Sequence, residues 1–491
     1  MHDHGKSDGL IVPVKSPNEP IRENVCAKEE MEGRGLAKGI LREQNMLRTQ
    51  RREGVKNALE RIRQVSSRNR ETQFTSLFHH ITTLDSLRTA YDRLKRDAAP
   101  GVDGQTWSEY GENLEKNLED LSRRLRTGAY KPKPVRRVLI PKADGSMRPI
   151  GVTAIEDKLA QCATVAVLNA IYEPLFAGFS YGFRPGRSQH NALDAVSVGI
   201  TRKKVKWVLD ADIRGFFDAI NHESLIRLIK HKIGDPRVIR LIQKWLRAGV
   251  LEDGVLVQAK LGTPQGGSVS PVLANIYLHY AYDCWALRWR KEKAKGDAIF
   301  VRYADDSVVG FQHEKDAYRF LDGLRTNLRE YGLELHPDKT RILEFGRFAF
   351  ENRKERKMRR PETFDFLGFT HICGRSRDGK FQLQRRTSRK RMTRKLREVR
   401  DELRKRMHHR IPEVGQWLGS VVRGHNQYYG VPLNYRAISS FRTQVIRHWH
   451  FALMRRSQKS KITWDRMNRL ASTWLPTPKI VHPYPNQRLV V

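Results

Sequence analysis

The stretch Ala298–Phe311, AIFVRYADDSVVGF, decides how the rest of the chain is interpreted. Two short apolar runs, 299–301 and 308–311, flank a polar tip, and β-branched residues on both sides of such a break predict a β-hairpin. The tip carries two adjacent acids, Asp305 and Asp306, and like charges a few ångströms apart resist joint ionisation. A divalent cation removes that penalty, and Mg²⁺ takes carboxylate oxygens as ligands. The hairpin therefore predicts a magnesium site that a third carboxylate elsewhere in the chain completes.

A second strand can supply that carboxylate. Residues 206–212, KWVLDAD, have the composition of a strand, and the period of two places Asp210 and Asp212 on the same face. Spacing alone does not say which of the two acids binds metal. The turn that follows, 213–217, has backbone N–H groups that can cradle phosphates. Asp218 is as well suited to capping the next helix as to binding a ligand.

Charge indicates the class of partner. The chain has 491 residues, which predicts two to four domains, and its formal net charge is +38, from 92 Lys and Arg against 54 Asp and Glu. A surplus that large and that widely spread predicts a polyanionic partner, and nucleic acid is the common one.

Cysteine usage and hydropathy bound the compartment. The four cysteines are far apart and form no CxxC pair, which argues against zinc and against a disulfide framework. The first ten residues, MHDHGKSDGL, lack the basic and then apolar pattern of a signal peptide, and no apolar run is long enough to span a membrane. These features predict a cytoplasmic protein with no membrane partner.

Two segments carry candidate phosphate contacts. Residues 136–150 predict a hairpin in which Lys142 and Arg148 lie near the turn on opposite arms and can clamp a triphosphate. Residues 333–342 place Lys339 after a turn, close behind the acidic hairpin in the chain.

Two loops are candidates for nucleic-acid contact. The loop 181–187 interleaves aromatic residues with Arg184 and Arg187, a mixture suited to a nucleic-acid backbone. The loop 261–268 contains Gln265 and two adjacent glycines, the first of which is Gly266. Adjacent glycines let a backbone approach a base or a sugar closely.

Helical periodicity is present in three further segments of the chain. Residues 55–65 predict a basic helix, either a solvated helix packed on the next domain or an arm that contacts RNA. Residues 224–248 predict one amphipathic helix. Residues 385–410 hold 13 Lys and Arg against 3 acids, and an apolar stripe runs through them, so we expect a helix that packs by one face and presents cations on the other. The candidate nucleic-acid contacts on it are Arg389, Lys390, Arg394, Arg397 and Arg404.

Taken in order, these segments resemble the reverse transcriptases, and within them the group II intron-encoded reverse transcriptase/maturases of bacterial type. The resemblance covers roughly residues 75–485. The motifs that carry it are APGVDG (99–104), IPKADGSMRPIG (140–151), YGFRPGRS (181–188), DADIRGFFDAINH (210–222), GTPQGGSVSPVLANIYL (262–278), YADD (303–306), HPDKT (336–340) and FDFLGF (364–369).

The resemblance implies an α+β fold, a right-hand polymerase whose fingers and palm contain antiparallel sheet and are followed by an α-helical thumb/maturase domain. The domains it predicts are an N-terminal extension at 1–74, partly disordered with a basic helix, an N-terminal segment and fingers at 75–205, a palm at 206–375, a helical thumb/maturase domain at 376–475, and an extended Pro-rich tail at 476–491.

The resemblance also implies the site residues. The catalytic acids are Asp212, Asp305 and Asp306, which hold two Mg²⁺ ions together with Ile213, whereas Asp210 lies one step before the ligand position. Phe217 matches the position that excludes a ribose 2′-OH and so selects dNTPs. The residues expected to contact the dNTP are Lys142, Arg148, Arg214, Gly215, Phe216, Phe217, Gln265 and Lys339.

The implied activity is RNA-directed DNA polymerisation by two-Mg²⁺ nucleotidyl transfer, with intron RNA, target DNA, a primer and dNTPs as partners. The protein would act as a maturase that assists splicing and in intron mobility by target-primed reverse transcription, as a nucleoid-associated ribonucleoprotein of the bacterial cytoplasm. No HNH endonuclease is expected, because the chain has no CxxC, and His425-Asn426 is a chance echo of that motif. Two alternatives remain open: a catalytically idle RNA-binding splicing cofactor, and a retron, diversity-generating or CRISPR-associated reverse transcriptase.

Overall fold

The computed structural model describes residues 35–141, 147–252, 255–257, 262, 266–456 and 461–489, and side chains from residue 51 onward in most of these. The first part is helical, and the predicted basic helix at 55–65 lies within its first element. No described helix has an apolar stretch long enough to cross a bilayer. The elements up to residue 127 are α1 (Gly35–Arg68), α2 (Phe78–Thr82), α3 (Leu84–Arg93), α4 (Trp107–Glu112) and α5 (Leu114–Thr127).

The next segment adds five strands and several helices. They are β1 (Val135–Pro141), β2 (Met147–Val152), α6 (Ile155–Tyr172), α7 (Gln189–Arg202), β3 (Trp207–Asp212), α8 (Phe216–Ala219), α9 (His222–Lys230), α10 (Pro236–Leu246), β4 (Val250–Glu252) and β5 (Val255–Val257). The single helix predicted for 224–248 is wrong, because the chain breaks between α9 and α10. Asp235 accepts a hydrogen bond from the Arg237 N–H at 3.0 Å and Pro236 takes the first helical position, so a new helix begins there.

A long helical run then leads into the acidic hairpin. It consists of α11 (Ser270–Leu278), a π-helical turn (His279–Asp283) and α12 (Cys284–Glu292). After it come β6 (Ala298–Tyr303), β7 (Asp306–Phe311), α13 (Glu314–Glu330), β8 (Arg341–Glu344) and α14 (Ala349–Glu355). The hairpin predicted from 298–311 is present, with a two-residue turn between its strands.

The remainder forms a small sheet and a helical bundle. Its elements are β9 (Phe364–Phe366), β10 (Phe369–Arg375), β11 (Phe381–Thr387), α15 (Arg389–Lys405), α16 (Ile411–Tyr429), α17 (Tyr435–Met454), α18 (Trp464–Trp474) and α19 (Pro485–Arg488). The predicted boundary at 375/376 falls inside the β10–β11 hairpin, so β11 belongs with the strands before it. The tail is also more than an extended strand, since it ends in α19 and buries Leu489 in the same core as α7.

The sheets place the acids. The central sheet has the order β6-β7-β3-β8 and is antiparallel throughout, while the first sheet has the order β2-β1-β4-β5 and the last β11-β10-β9. Alternation along β3 sends Leu209 into the core that contains α11 and α13, and Val208 into the core that contains α7. Helices α15–α18 share a third core. This is a mixed α+β fold followed by a helical region, as predicted, and its strand pairs are antiparallel apart from the parallel pair of β1 with β4 in the first sheet.

Candidate active site

The end of the central sheet brings the predicted acids together. Asp212 closes β3 and Asp306 opens β7, and the two residues are direct register partners across the antiparallel pair. Residues opposite each other in such a pair have Cβ atoms roughly 5 Å apart. Asp305 lies in the turn immediately before Asp306. Asp212 and the adjacent pair Asp305 and Asp306, more than ninety positions later in the sequence, therefore share one edge of the sheet.

The turn between β6 and β7 has an unusual backbone. Ala304 has φ +56°, in the left-handed region that favours glycine. The loop before α7 packs directly on it, because a Cβ at Gly182 would lie 2.3 Å from the Ala304 backbone nitrogen. The interpretation of the loop 181–187 as a nucleic-acid contact does not include this close approach. Gly182, the first of the two glycines in YGFRPGRS, is the feature that could have indicated it.

Negative charge accumulates at this edge. The pKa of Asp306 is raised to about 8, first by desolvation of its carboxyl group, and then by repulsion from Asp305 and a hydrogen bond with Asp212. This holds although the residue as a whole is exposed. Asp210, on the same face of β3 as Asp212, has its pKa raised to about 7 by burial, against a lowering effect from Arg341. The acids thus repel one another, and bound positive charge would relieve the repulsion.

Lys339 is a cation that pairs with one of these acids in the structure. Its Nζ lies 2.8 Å from Asp212 Oδ2, and that hydrogen bond is the main cause of a raised Lys339 pKa. The backbone N–H of His336 also donates to the Asp212 carbonyl at 2.7 Å, which ties the loop 333–340 to the end of β3. The predicted dNTP contact Lys339 therefore lies beside the acids, and here it pairs with one of them.

The turn after β3 supplies the next predicted contacts. Ile213 is buried and bridges Leu335, and Gly215 has φ +54° at the N-terminus of α8. The side chain of Phe216 is 2% exposed and packs in the core, so a direct side-chain contact between Phe216 and a dNTP is not supported. Phe217 is half-buried beside it, with ring centroids 5.4 Å apart.

Phe217 and Arg214 remain available to a ligand. The Phe217 ring centroid lies 6.3 Å from that of Phe183, which is 48% exposed and has φ +56°. Arg214 is exposed, and its backbone N–H donates to the backbone carbonyl of Glu334 at 2.8 Å. The selectivity prediction for Phe217 thus concerns a ring that lines an accessible surface.

Part of the predicted dNTP site lies outside the described residues. Lys142 and Gln265 fall in gaps of the description, and of Arg148 only the backbone, in β2, is described. Gly266 is described: it has φ +117°, and a Cβ there would lie 2.2 Å from the Gly151 carbonyl oxygen. Its need for glycine follows from packing against β2, and this approach also joins the loop to the first sheet.

The structure corrects the prediction for Arg184 and gives Arg187 contacts within its own loop. Arg184 is 6% exposed, its Nε and Nη2 bind Glu173 at 3.0–3.2 Å, and its Nη1 donates to the Ala177 and Ser180 carbonyls at 2.8 Å each. The Arg187 guanidinium donates to Gly178 and Ser180 carbonyls and stacks over Tyr181. Arg184 holds the loop in shape and is not presented to a nucleic acid, because it is buried and its donors are used by the protein. Arg187 also supports the loop through its Nη1, but the residue is partly exposed, so its contact with nucleic acid stays a prediction.

Helix α15 presents cations as predicted. Its buried side chains are Val399 and Leu403, and the exposed cations include Arg389, Lys390, Arg394, Arg397 and Arg404. Two of these form ion pairs along the helix, Arg394 with Glu398 at 2.9 Å and Arg404 with Asp401 at 3.8 Å. Such exposed pairs contribute little, about 0.3–0.5 kcal/mol, so a polyanion can displace them. His425, which belongs to the chance echo of the HNH motif, lies in α16. It is buried, and its ring stacks on that of Phe441 with centroids 3.6 Å apart.

The donor set fits a hard divalent cation. All three predicted ligands are carboxylates at one sheet edge, and oxygen is the donor that such ions prefer. Their side chains are not gathered into a finished cluster, since no group of three His, Cys, Asp or Glu side chains is arranged for metal binding within the ranges described. Asp212 turns to Lys339 instead. A cation would therefore have to displace that ammonium group from Asp212.

An acidic antiparallel hairpin at the edge of a four-stranded sheet, with a basic helical region after it, defines a nucleic-acid polymerase palm. The family model described as reverse transcriptase (RNA-dependent DNA polymerase) matches residues 140–371. The protein YkfC of Escherichia coli K12 is 31% identical over 317 residues, which cover 58% of this chain and 78% of that protein.

Two further relatives narrow the family. The group II intron-encoded protein LtrA of Lactococcus lactis is 40% identical over 222 residues, 45% of this chain and 37% of LtrA. The nuclear intron maturase 4, mitochondrial, of Arabidopsis thaliana is 24% identical over 211 residues, 42% of this chain and 25% of that protein. The chain thus spans well under half the length of these two relatives. It belongs to the reverse transcriptases, RNA-directed DNA polymerases, and within them to the group II intron-encoded reverse transcriptase/maturases.

Proposed function

We propose that this chain copies RNA into DNA at the edge of the central sheet, with Asp212, Asp305 and Asp306 as catalytic acids and Ile213 contributing beside them. The observation that carries the proposal is the register pairing of Asp212 with Asp306, next to Asp305 in the turn. Two Mg²⁺ ions bound there would supply Lewis-acid chemistry, lowering the pKa of a primer 3′-OH and offsetting charge on the triphosphate.

The chain's own residues explain binding and orientation in this proposal. Lys339, once released from Asp212, is close enough to the acids to pair with a triphosphate. Arg214 and the backbone of Gly215 offer donors at the start of α8, and Lys142, Arg148 and Gln265 are proposed to complete the nucleotide site. The half-buried ring of Phe217 excludes a ribose 2′-OH by occupying its space.

The proposed partners follow from charge and from the relatives. A net charge of +38 and the cation-bearing face of α15 suit a polyanion. LtrA is by its name a group II intron-encoded protein, so we infer that this chain also binds the RNA of a group II intron and assists its splicing. Action in intron mobility, with target DNA and a primer, is part of the same proposal, as is a domain order of fingers, palm and thumb along the chain.

The test is primer extension on poly(rA)/oligo(dT) with Mg²⁺. We expect Asp305→Ala and Asp306→Ala to abolish dNTP incorporation, a loss of three or more orders of magnitude, because each removes a ligand of the reacting ions. RNA affinity should change little. The matched control is Asp322→Ala, which removes an exposed acid of α13 and should extend primers at the wild-type rate.

Two results of this experiment would contradict the proposal. Extension by Asp305→Ala at the wild-type rate would refute the assignment of the acids. A wild-type chain that binds intron RNA and promotes splicing but extends no primer would identify an idle splicing cofactor.

A further inference from the structure

Arg302 is a buried charge that the proposed chemistry does not use. It lies in β6, two residues before Ala304, and is 1% exposed. Its Nε and Nη2 donate to the two carboxylate oxygens of Asp283 at 2.7 and 2.6 Å, and Asp283 is fully buried. Taking both charges out of water is costly, so such a pair is weak evidence for a gain in stability. Its position beside the acidic turn indicates another role.

The other donors of Arg302 hold the turn and the loop that packs on it. Nη1 donates to the Ala304 carbonyl at 2.9 Å and reaches Asn275 Oδ1 at 3.5 Å, and Nη2 donates to Ser180 Oγ at 2.7 Å. Asn275 in turn donates to the Gly182 carbonyl at 2.7 Å. A guanidinium is rigid and planar, with its donors in a fixed fork. The direction of the donor aimed at Ala304 is therefore set by the groups that hold the other edge of the fork.

The π-helical turn explains how two of those groups face the same way. Asn275 and Asp283 are eight residues apart, and in a regular α-helix such residues are about 80° out of phase. A π-turn accommodates about one extra residue, which brings the two side chains to within about 20° of each other. The turn at His279–Asp283 lies between them. Without it, the Asp283 side chain would be displaced by about 80° around the helix axis from that of Asn275.

We propose that Arg302 is a positioning residue for this site. Anchored by Asp283, it fixes the left-handed conformation of Ala304 and thereby the directions in which the carboxylates of Asp305 and Asp306 leave the turn. The π-turn is the device that places Asp283 for this purpose. The inference rests on the proposed function of the two acids as cation ligands.

Arg302→Lys tests the inference, because lysine keeps the charge and loses the fork. We expect the apparent affinity for Mn²⁺ to fall about 10- to 100-fold, which is typical when a residue that orients a metal ligand is replaced. Electron paramagnetic resonance on the full chain without nucleic acid measures this affinity. In primer extension, kcat should fall by a similar factor, whereas KM for dNTP should change by less than about threefold.

The matched control is Arg385→Lys. Arg385 is also buried and forms an ion pair of 2.7 Å with buried Asp194, but no hydrogen bond in the described part of the chain joins that pair to the acidic turn. We expect both variants to lower Tm by comparable amounts and only Arg302→Lys to weaken Mn²⁺ binding. Equal Mn²⁺ affinities and equal kcat in the two variants would overturn the inference and leave Arg302 as a purely structural residue.

A milder pair covers the case in which Arg302→Lys does not fold. Ser180→Ala removes one neutral partner of Arg302, and Ser66→Ala removes a buried hydroxyl that donates to the Ile171 carbonyl at 2.6 Å. Mn²⁺ affinity should fall several-fold in the first and stay at the wild-type value in the second, and no difference between them overturns the inference. A wild-type chain that binds Mn²⁺ but extends no primer would overturn the proposed function, and the comparison of Mn²⁺ affinities would still decide the role of Arg302.

Discussion

At the level of single residues, the acids at the sheet edge repel one another, and cations such as Lys339 offset part of that repulsion. Asp306 holds a proton more tightly than an isolated acid would, and Asp212 is paired with Lys339. Each arrangement reduces the negative charge of the edge without a metal ion. A divalent cation would replace both the proton and the ammonium group, because carboxylates at this spacing need positive charge to be ionised together.

Phe217 carries a prediction about sugar selectivity. Its ring is half-buried beside Phe216 and borders the surface next to Phe183. We expect Phe217→Ala to raise the ratio of kcat/KM for rNTP over dNTP by at least about tenfold, because the space that a 2′-OH needs is opened. Single-nucleotide incorporation with matched rNTP and dNTP measures it. Phe183→Ala, which truncates the neighbouring exposed ring, should leave the ratio near the wild-type value, and an equal rise in both variants would contradict the assignment.

Asp157 carries a prediction about pH. It is 3% exposed and accepts hydrogen bonds from the Tyr130 hydroxyl and, at 3.0 Å, from the Lys133 N–H. Burial raises the pKa of Asp157 from 3.8 to about 6. Because the folded state holds this proton more tightly than the unfolded chain, the stability linked to it is present below about pH 4 and is lost as pH rises through about 6.

The measurement compares two proteins at two pH values. Between pH 4.5 and pH 7 the wild type should lose about 2 kcal/mol more of its unfolding free energy than Asp157→Asn, which cannot ionise. Thermal unfolding at both pH values gives the comparison. An identical change in the two proteins would show that Asp157 does not titrate in this range.

At the scale of elements, the break between α9 and α10 joins distant parts of the chain. Asp235 is fully buried, and besides capping α10 it accepts the backbone N–H groups of Leu77 and Phe78 at 2.9 Å each. Burial raises its pKa, but the hydrogen bonds from Arg237 and from these N–H groups outweigh that effect and lower the pKa to about 2. One carboxylate thus serves the starts of two helices.

Asp235→Ala should therefore cost more than the loss of an ordinary helix cap. We expect a destabilisation of about 2–4 kcal/mol, because several buried donors lose their acceptor together. Thr463→Ala, which removes a cap that accepts only the Arg466 N–H, should cost about 1 kcal/mol. The difference in Tm between the two variants is the readout, and equal shifts would show that the contacts of Asp235 to α2 contribute nothing.

At the scale of the whole molecule, residues 481–488 contact parts of the fold that are distant in the sequence. Arg488 of α19 lies 3.3 Å from Asp194 of α7, which also binds Arg385 of β11 at 2.7 Å. The Val481 N–H donates to the Gly430 carbonyl at 2.8 Å. Residues predicted to be an extended tail thus connect α7, the last sheet and the helical region.

Net charge carries the prediction for the whole molecule. RNA affinity should fall steeply with salt, because bound RNA releases counterions in proportion to the phosphates neutralised. Replacing Arg389, Lys390 and Arg397 of α15 together by Ala should reduce the slope of log Kd against log salt by about 2. Replacing three cations of α13 by Ala, Lys315, Arg325 and Arg329, should reduce the same slope by less than about 1. Equal reductions would mean that α15 is not a preferred RNA contact.

The sequence alone determined the features that depend on neighbours in the chain. The period of two in 206–212, the β-branched arms of the 298–311 hairpin and the apolar stripe through α15 follow from local composition, and the structure has all three. The pairing of Asp212 with Asp306 was expected only through the resemblance, since spacing left Asp210 equally eligible. Register across the two strands places Asp212 opposite Asp306 and Asp210 opposite Val308, and register is a property of the folded sheet.

Tertiary structure alone decided which charges face the solvent. Arg184, Arg302 and Arg385 are ordinary cations in the sequence, yet each is buried against an acid, and for Arg385 that acid lies 191 positions away. The physical reason is that composition sets how much charge a segment carries, whereas packing against remote segments sets whether that charge meets water, RNA or a buried carboxylate. The same packing placed a π-turn behind the acidic hairpin and a left-handed alanine in the turn of that hairpin, which no local pattern in the chain indicated.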